Sequence, residues 1–295
     1  MKSLEIKNKI ALGTVQFGLD YGIANNSGQV SISEIRNILK YAKMNSIDTL
    51  DTAIGYGDSE ERLGAVGVSQ WNVVTKLPAL TDQIKDVKTW VREAVEQSMI
   101  RLQVDQLSGM LLHRPNDLLN KHGDDIYMAL EELKFDGLVN KIGASVYVPD
   151  ELDSLFSRYK LDIVQAPFNI FDRRLKESGW LDRLSNQGTE IHVRSVFLQG
   201  LLLMSDKNRP DQFRRWESLW CSWDDWLSEA KLSPLQACLW YVLSEMQINR
   251  VIVGVDNVEH FKEILNATKE ISADIPKHLY CNDLDLINPA RWNIQ

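Results

Sequence analysis

Four side chains that together could carry out acid–base chemistry follow three neighbouring apolar runs: Asp51, Tyr56, Lys76 and His113. Reduction of a carbonyl needs a hydride donor at the carbon and a proton donor at the oxygen. The Tyr56 hydroxyl, with an ordinary tyrosine pKa of about 10, is protonated at neutral pH and can donate that proton. Lys76 would supply a cation that stabilises the phenolate, and Asp51 would hold Lys76 charged and in place. His113 would orient and polarise the carbonyl.

Each of these residues also has a simpler explanation when it is taken alone. An aspartate after a strand is often a turn former or helix cap, a lysine there is often a solvated charge, and a histidine can be a packed rim residue. Lys76 could also be the Schiff-base amine of an aldolase or isomerase. The presence of all four at the ends of consecutive strands favours carbonyl chemistry over these alternatives.

The elements that must position these side chains are visible as short apolar runs that alternate with longer segments of helical period. Several runs are apolar throughout, which is typical of strands covered on both faces in a parallel sheet. Eight runs, each followed by a helical segment, predict an α/β fold of the (β/α)8 TIM-barrel class, whose working groups lie at the carboxyl ends of the strands. The runs are Ile10–Leu12, Thr49–Leu50, Asn72–Thr75, Leu107–Leu112, Lys141–Gly143, Asp162–Val164, Ile191–Val193 and Val251–Val253.

A doubly wound open sheet is the alternative to the barrel. Such a sheet usually carries a glycine-rich turn, G-x-G-x-x-G, after its first strand. The corresponding turn from Gly13 to Gly18 reads GTVQFG and lacks that pattern. The sequence therefore favours the barrel.

Two helix starts are marked by residues with the spacing of a capping box. Ser31 with Glu34, and Ser233 with Gln236, follow the Ser-x-x-Glu/Gln pattern. In this arrangement the serine hydroxyl accepts a hydrogen bond from the third amide, and the Glu or Gln side chain accepts one from the serine amide. We expect Ser31 and Glu34 to form these reciprocal bonds, and Ser233 to be the N-cap of a helix that has Pro234 at its first position and Gln236 at its third.

The whole chain, residues 1–295, is predicted to form one barrel domain. A long irregular region at about 201–232 reads as a loop or helical insertion, and residues from about 275 to 295 read as a C-terminal tail. Within the insertion, the 213–226 stretch carries tryptophans at helical spacing, namely Trp216, Trp220, Trp223 and Trp226. These side chains either pack a helix on the barrel or rim a substrate pocket.

The composition excludes several classes of function. With 33 basic and 41 acidic side chains, the net charge is −8, so a polyphosphate backbone would be repelled and no nucleic-acid partner is expected. Cys221, Cys238 and Cys281 are too scattered for a disulfide framework or a zinc site, and no metal is expected. The sequence has neither the ~18 apolar residues of a membrane span nor the apolar run of a signal peptide. We expect a cytoplasmic protein without a membrane partner.

Four local motifs resemble the signature of the aldo-keto reductase superfamily. They are the segments Asp51–Gly57, Ser59–Gly64, Val74–Lys76 and Leu111–Pro115. The catalytic Asp, Tyr, Lys and His of that family match Asp51, Tyr56, Lys76 and His113 in order and spacing. The resemblance covers nearly the whole chain and implies a nicotinamide-dependent oxidoreductase that interconverts a carbonyl and an alcohol.

The resemblance also implies where a nicotinamide cofactor binds. Ser145 and Gln165 would contact the carboxamide, and Val146 stands where the family commonly has Asn. Arg194 replaces the aromatic residue that stacks on the nicotinamide, and its planar guanidinium can stack instead. The segment after Arg194 would wrap the pyrophosphate, and the turn and helix from Gly254 to Glu263 would hold the adenosine. The full set is Gly13, Thr14, Val15, Asp51, Ser145, Gln165, Arg194, Ser195, Phe197, Gln199, Gly200, Gly254, Asp256, Asn257 and His260.

The choice between the two nicotinamide nucleotides depends on the adenosine segment. Family members that prefer NADP(H) place Lys or Arg there to pair with the 2′-phosphate. This chain has Asp256 and, near the usual arginine position, His260. An Asp256 carboxylate facing the phosphate would repel it, whereas an Asp256 that points away as a helix cap beside Asn257 would not. The usual preference of the family favours NADP(H) over NAD(H) as the cofactor.

Two further segments bear on the substrate. Val15–Gly22 and Asp285–Trp292 resemble a bacterial subgroup associated with sugar or surface-polysaccharide metabolism. The implied partner is a small-molecule carbonyl substrate, such as a sugar or nucleotide-sugar. Aromatic rings could stack on a sugar or could be ordinary packing. The candidate substrate contacts are Phe17, Tyr21, Tyr56, His113 and Trp292.

A non-catalytic protein on the same barrel is the rival to an enzyme. Such a protein would bind the nicotinamide cofactor and act as a redox-sensing or regulatory subunit. The complete set of Asp51, Tyr56, Lys76 and His113 favours the enzyme.

Overall fold

The computed structural model describes residues 8–25, 27–268 and 274–292, and within them eight parallel strands close into a barrel. The strands pair in sequence order, and the last pairs with the first. They are β1 (Ile10–Gly13), β2 (Thr49–Asp51), β3 (Asn72–Leu77), β4 (Gly109–Leu112), β5 (Ile142–Ser145), β6 (Ile163–Pro167), β7 (Glu190–Arg194) and β8 (Arg250–Gly254). The predicted (β/α)8 barrel is confirmed.

Helices surround the strands. They are α1 (Val15–Gly18), α2 (Ile32–Met44), α3 (Ser59–Val66), α4 (Val87–Leu102), α5 (Gly123–Phe135), α6 (Asp150–Phe156), α7 (Arg174–Glu177), α8 (Trp180–Asn186), α9 (Glu217–Ala230), α10 (Pro234–Ser244), α11 (Val258–Ala267) and α12 (Leu284–Ile287). In the described part of the chain, none of these helices combines the length and apolar character that a membrane crossing requires.

The strands are buried on both faces, which explains why their sequences are apolar instead of alternating. Every residue of β1, β2, β4, β5 and β6 is buried. In such a barrel, outward side chains pack under the helices and inward side chains fill the interior. Polar groups that do chemistry are therefore expected near the carboxyl ends of the strands and in the loops that follow.

The register brings the carboxyl ends of neighbouring strands side by side. Asp51 at the end of β2 pairs with Gly13 at the end of β1. Ser145 at the end of β5 pairs with Gln165 on β6, and Arg194 ends β7. We call this end of the barrel, formed by the carboxyl ends of the strands and the loops that follow, the barrel mouth.

The two predicted helix starts have different outcomes. Ser233 and Gln236 form both reciprocal hydrogen bonds at the start of α10. At the start of α2, Ser31 Oγ accepts from the Glu34 N–H at 3.2 Å, but the Glu34 carboxylate accepts from the Val258 N–H at 2.7 Å. The predicted second hydrogen bond of this capping box, from the Ser31 N–H to the Glu34 side chain, is therefore wrong. The Glu34 carboxylate accepts a hydrogen bond from Val258 instead.

The tryptophan-rich segment packs on the barrel through α9. The side chains of Trp220, Trp223 and Trp226 are buried. The Trp220 ring centroid lies 5.3 Å from that of Phe171, and the Trp223 and Trp226 centroids are 5.6 Å apart. These contacts agree with the prediction that the tryptophans pack a helix on the barrel. They do not support the alternative, in which the tryptophans rim a substrate pocket.

Candidate active site

The buried ammonium of Lys76 is the centre of a polar cluster at the barrel mouth. The Lys76 side chain is fully enclosed, and its Nζ donates to Asp51 Oδ1 at 2.7 Å and to the Thr52 carbonyl oxygen at 2.8 Å. Nζ also lies 3.5 Å from the Tyr56 hydroxyl oxygen and 5.0 Å from the Tyr56 ring centroid. Lys76 therefore joins Asp51 to Tyr56.

The charge of Lys76 follows from a balance between burial and attraction. Burial by itself lowers the pKa of the ammonium, but the Asp51 carboxylate and the Tyr56 hydroxyl favour the charged form. Their combined effect raises the Lys76 pKa above its ordinary value. The charged ammonium can stabilise negative charge on the Tyr56 oxygen.

Two glycines allow the loop that carries Tyr56 to pack against α1. A Cβ at Gly18 would lie 1.7 Å from the Tyr56 carbonyl oxygen, so the approach requires glycine. Gly57 has a φ of 56°, and a Cβ there would lie 2.3 Å from the Gly18 carbonyl oxygen. The Ser59 hydroxyl donates to the Thr14 carbonyl oxygen at 3.0 Å. These contacts fix the Tyr56 backbone beside the end of β1.

The second oxygen of Asp51 continues the network across the barrel. Gln165 Nε2 donates to Asp51 Oδ2 at 2.6 Å, and the Ser145 hydroxyl donates to Gln165 Oε1 at 3.1 Å. Gln165 is fully buried and both ends of its amide are used within the protein. Gln165 therefore positions Asp51 and Ser145. Its predicted contact with a carboxamide stays a prediction.

His113 lies beside Tyr56 in a neutral form. The two rings meet edge-on, with centroids 5.7 Å apart and an interplanar angle of 83°. Burial, together with the positive charges of Lys76 and Arg194, lowers the pKa of His113 to about 4. A neutral imidazole carries one N–H, so His113 can donate a hydrogen bond to a carbonyl oxygen without bearing charge.

We expect His113 to remain uncharged from about pH 8 down to about pH 5. Because its pKa falls from 6.5 to about 4 on folding, the unfolded chain binds the proton more readily between these values. The stability that depends on neutral His113 is therefore present above pH 6.5 and is lost as the pH falls towards about 4. Ring-proton NMR titration measures the midpoint, with His113→Gln to assign the resonance. A titration midpoint near 6.5, the ordinary value for histidine, would contradict the assignment of His113 as a buried, neutral side chain beside two cations.

Arg194 is held in a fixed orientation over Tyr147. Its Nη2 donates to the Val146 carbonyl oxygen at 3.0 Å, and Nε and Nη1 make longer contacts of 3.4 Å with the hydroxyls of Ser145 and Ser195. The guanidinium carbon lies 4.6 Å from the Tyr147 ring centroid. Within the described residues Arg194 has no carboxylate in ion-pair contact, so it presents a flat, unneutralised cation at the barrel mouth.

The loop after β7 contains several left-handed backbone conformations. Ser195, Leu198 and Gln199 have φ angles of 59°, 46° and 53°, and Gly200 has 91°. Non-glycine residues pay about 1 kcal/mol or more each in this region, so tertiary contacts must impose the conformation. One such contact is a 3.1 Å hydrogen bond from Gln199 Nε2 to the Tyr21 hydroxyl, which joins the loops after β7 and β1.

Unpaired polar atoms flank the end of β8. The Gln16 amide lies against Gly254, where a Cβ would come within 2.6 Å of Gln16 Nε2. Among the described residues, Gln16 Oε1 and Asp256 Oδ1 are buried without a hydrogen-bond partner. Buried acceptors are normally satisfied, so these atoms point to a missing donor. With the Ser145 hydroxyl and the strained loop after β7, they fit a polar, extended ligand such as a nicotinamide dinucleotide.

Two of the sequence-predicted contact residues are enclosed by the protein. Phe17 is fully buried in the core as part of α1, and its contact with substrate stays a prediction. Thr14 is fully buried and its hydroxyl donates to the Asp51 carbonyl oxygen at 3.0 Å. Thr14 therefore supports Asp51 through this bond, and its contact with a cofactor stays a prediction.

The remaining predicted contacts are distributed around the barrel mouth. Tyr21 is 40% exposed, and Gly13 and Val15 lie at the junction of β1 and α1.

Trp292, near the end of the described residues, donates its indole N–H to the Leu286 carbonyl oxygen at 3.1 Å. Its ring meets that of Phe213 edge-on, with centroids 4.8 Å apart. No described contact brings Trp292 to the tetrad of Asp51, Tyr56, Lys76 and His113, and its contact with substrate stays a prediction. Phe197 is half-buried against the core, and Asn257 caps α11 in front of His260.

Sequence reasoning missed Tyr147 and Gln16. Tyr147 is the second residue after Ser145, and its ring supports the guanidinium of Arg194. Gln16 lies in α1 directly after β1. Their positions immediately beyond strand ends were the available signal, because such residues line the mouth of a barrel.

The sequence matches the aldo/keto reductase family over residues 9–279. Among curated relatives, the uncharacterized oxidoreductase YqkF of Bacillus subtilis is 25% identical over 189 residues, which cover 61% of this chain and 60% of that protein. The 6-dehydroglucose reductase of Novosphingobium aromaticivorans is 27% identical over 191 residues, which cover 59% of this chain and 61% of that protein. The chain thus matches about three fifths of the length of these relatives.

A solved structure shares the fold. The aldo-keto reductase AKR11C1 of Bacillus halodurans, in its holo form, superposes with a TM-score of 0.72 and 21% identity over 90% of this chain and 88% of that chain. At this identity the likeness shows the fold alone. The family match over residues 9–279, by contrast, shows the family. The chain belongs to the aldo/keto reductase family, whose members are NAD(P)-dependent oxidoreductases.

Proposed function

We propose that the chain interconverts a carbonyl and an alcohol by nicotinamide-dependent hydride transfer, with Tyr56 as general acid and base. The observation that carries this proposal is the buried Lys76 ammonium, which contacts Asp51 Oδ1 at 2.7 Å and the Tyr56 hydroxyl at 3.5 Å. A buried ammonium costs free energy, and its position beside a phenol lowers the free energy of the phenolate. This is the arrangement that proton transfer by a tyrosine requires.

The chain's own groups have distinct tasks in the reducing direction. Tyr56 donates its proton to the carbonyl oxygen, Lys76 stabilises the phenolate, and Asp51 keeps Lys76 charged. Neutral His113 donates a hydrogen bond to the same oxygen and orients the carbonyl. A nicotinamide cofactor, when bound, would supply the hydride for the carbonyl carbon. In the opposite direction the Tyr56 phenolate accepts the proton of the alcohol.

Residues at the ends of β5 to β8 would hold the cofactor. Ser145 would contact the carboxamide, and Arg194 would stack on the nicotinamide ring with Tyr147 behind it. The loop from Ser195 to Gly200 would wrap the pyrophosphate, and the segment after Gly254 would contact the adenosine. The expected preference for NADP(H) rests on the usual preference of the family, so the binding test below includes both nucleotides.

We propose a sugar or nucleotide-sugar as the carbonyl substrate. The name of one relative, 6-dehydroglucose reductase, supports this class. So does Tyr21, which is 40% exposed and hydrogen-bonded to Gln199 at the barrel mouth. An exposed aromatic ring there could stack on the apolar face of a sugar.

The proposal is tested by fluorescence titration of the purified chain with NADH and with NADPH, followed by turnover assays. The assay panel consists of small aldehydes, aldoses and nucleotide-sugars. Saturable binding and oxidation of the reduced cofactor with at least one carbonyl compound are expected. Absence of binding to both nucleotides would remove the proposal.

A non-catalytic, cofactor-binding protein remains the second candidate. Its supporting observation is the unneutralised Arg194 at the barrel mouth, which could hold a nicotinamide nucleotide without any turnover. The same experiment separates the two functions. Tight nucleotide binding without oxidation across the panel would favour the regulatory protein.

A further inference from the structure

The start of α11 is already occupied by acceptors from the protein itself. The Val258 N–H donates to Glu34 Oε1 at 2.7 Å, and the His260 N–H donates to Asn257 Oδ1 at 2.9 Å. The Phe261 N–H donates to the Asn257 carbonyl oxygen at 3.3 Å. A helix N-terminus attracts an anionic ligand through its free N–H groups. Here a carboxylate of the protein has taken one of those groups.

Glu34 is held in this position from two sides. It lies in the first turn of α2, and its second oxygen, Oε2, accepts from Asn37 Nδ2 at 3.0 Å. Glu34 and Val258 are 224 positions apart, so their contact joins the outer helices that follow β1 and β8. The start of α11 therefore carries a fixed negative charge.

Asp256 adds a second carboxylate just before α11. Its Oδ2 lies 3.6 Å from His260 Nδ1, and its Oδ1 is buried without a partner among the described residues. Burial raises the pKa of Asp256, and the neighbouring His260 opposes that shift. Asp256 does not cap the helix, because Asn257 does so. An acceptor atom is thus left without a donor at this position.

Basic side chains that could pair with a phosphate are scarce in this segment. Residues 254–268 contain one lysine and no arginine. That lysine, Lys262, is ion-paired with Glu259 at 2.6 Å. A dianionic group bound at the start of α11 would meet Glu34 and Asp256 without a compensating cation from this helix.

We propose that the chain selects NAD(H) over NADP(H), with Glu34 and Asp256 as the specificity-determining residues. The two nucleotides differ by the 2′-phosphate, which carries a charge of about −1.5 to −2 near neutral pH. The two carboxylates repel that phosphate, and they can accept a hydrogen bond from the 2′-hydroxyl that NAD(H) carries instead. This inference rests on the proposed function, and it reverses the expectation of NADP(H) that family habit gives.

The test is a fluorescence titration of the full chain and of two charge-neutral variants with NADH and NADPH. We expect the native chain to bind NADH about tenfold or more tightly than NADPH. Glu34→Gln and Asp256→Asn keep the shape and the acceptor oxygen and remove only the charge. Each should tighten NADPH binding by about fivefold without tightening NADH binding, so the preference for NADH should fall. Glu229→Gln, on α9, controls for the loss of one negative charge and should change neither dissociation constant.

The outcomes distinguish this inference from the proposed function. A native chain that binds NADPH as tightly as NADH overturns the inference and leaves the oxidoreductase intact. A preference for NADH that neither variant weakens removes Glu34 and Asp256 as its cause. A chain that binds neither nucleotide removes the proposed function itself.

Discussion

Replacement of Tyr56 by phenylalanine is expected to lower kcat by about 10²–10⁴-fold while the dissociation constant of the reduced cofactor changes by less than about twofold. The substitution removes the hydroxyl that lies 3.5 Å from Lys76 Nζ and keeps the ring that meets His113 edge-on at 5.7 Å. The proton donor is lost, whereas the surrounding packing and the cofactor segments remain. Steady-state turnover and fluorescence titration of the same preparation measure the two effects.

A matched variant shows whether the effect belongs to this hydroxyl. Tyr127→Phe removes a phenol on α5 whose oxygen donates to the Lys160 carbonyl oxygen at 3.0 Å, away from the barrel mouth. We expect turnover and cofactor binding of Tyr127→Phe to match those of the native chain. The general-acid assignment fails if Tyr56→Phe retains turnover, or if it loses cofactor affinity while turnover per bound complex persists.

The tetrad could be located from the sequence because a parallel barrel collects its strand ends at one mouth. Asp51, Lys76 and His113 stand at or directly after three consecutive apolar runs, so the topology alone brings them together. The strands themselves were recognisable because burial on both faces requires continuous apolar runs. For these residues, the local sequence pattern and the overall topology therefore predict the same location in the fold.

The contacts that modify the site depend on tertiary geometry that no local pattern encodes. The carboxylate of Glu34 has the spacing of a capping box with Ser31, yet it bonds to Val258, 224 positions away. Phe17 follows the first strand as a mouth residue would, but the short helix α1 turns its ring into the core. The orientation of a side chain in such a turn is decided by neighbouring helices, which the sequence does not order in space.

Replacement of Lys76 by methionine is expected to lower the free energy of unfolding by about 3–5 kcal/mol and to abolish measurable turnover. Lys76 is fully enclosed and its Nζ lies 2.7 Å from Asp51 Oδ1, so the variant leaves a buried carboxylate without its counter-charge. It also removes the cation that stabilises the Tyr56 phenolate. Chemical denaturation followed by tryptophan fluorescence measures the first effect. Lys88→Met, which breaks an exposed 3.4 Å ion pair with Glu132, should leave the unfolding midpoint unchanged.

A double variant separates the structural and the chemical contributions of Lys76. Lys76→Met combined with Asp51→Asn removes both charges and retains an oxygen that can accept from Gln165 Nε2, which donates to Asp51 at 2.6 Å. Neutralising both members of a buried pair is far less destabilising than removing one of them. We therefore expect the double variant to regain most of the unfolding free energy that Lys76→Met loses, and to remain inactive because the phenolate still lacks its cation. A double variant that unfolds as easily as the single one would mean that the cost comes from lost packing around the lysine stem instead of from the stranded carboxylate.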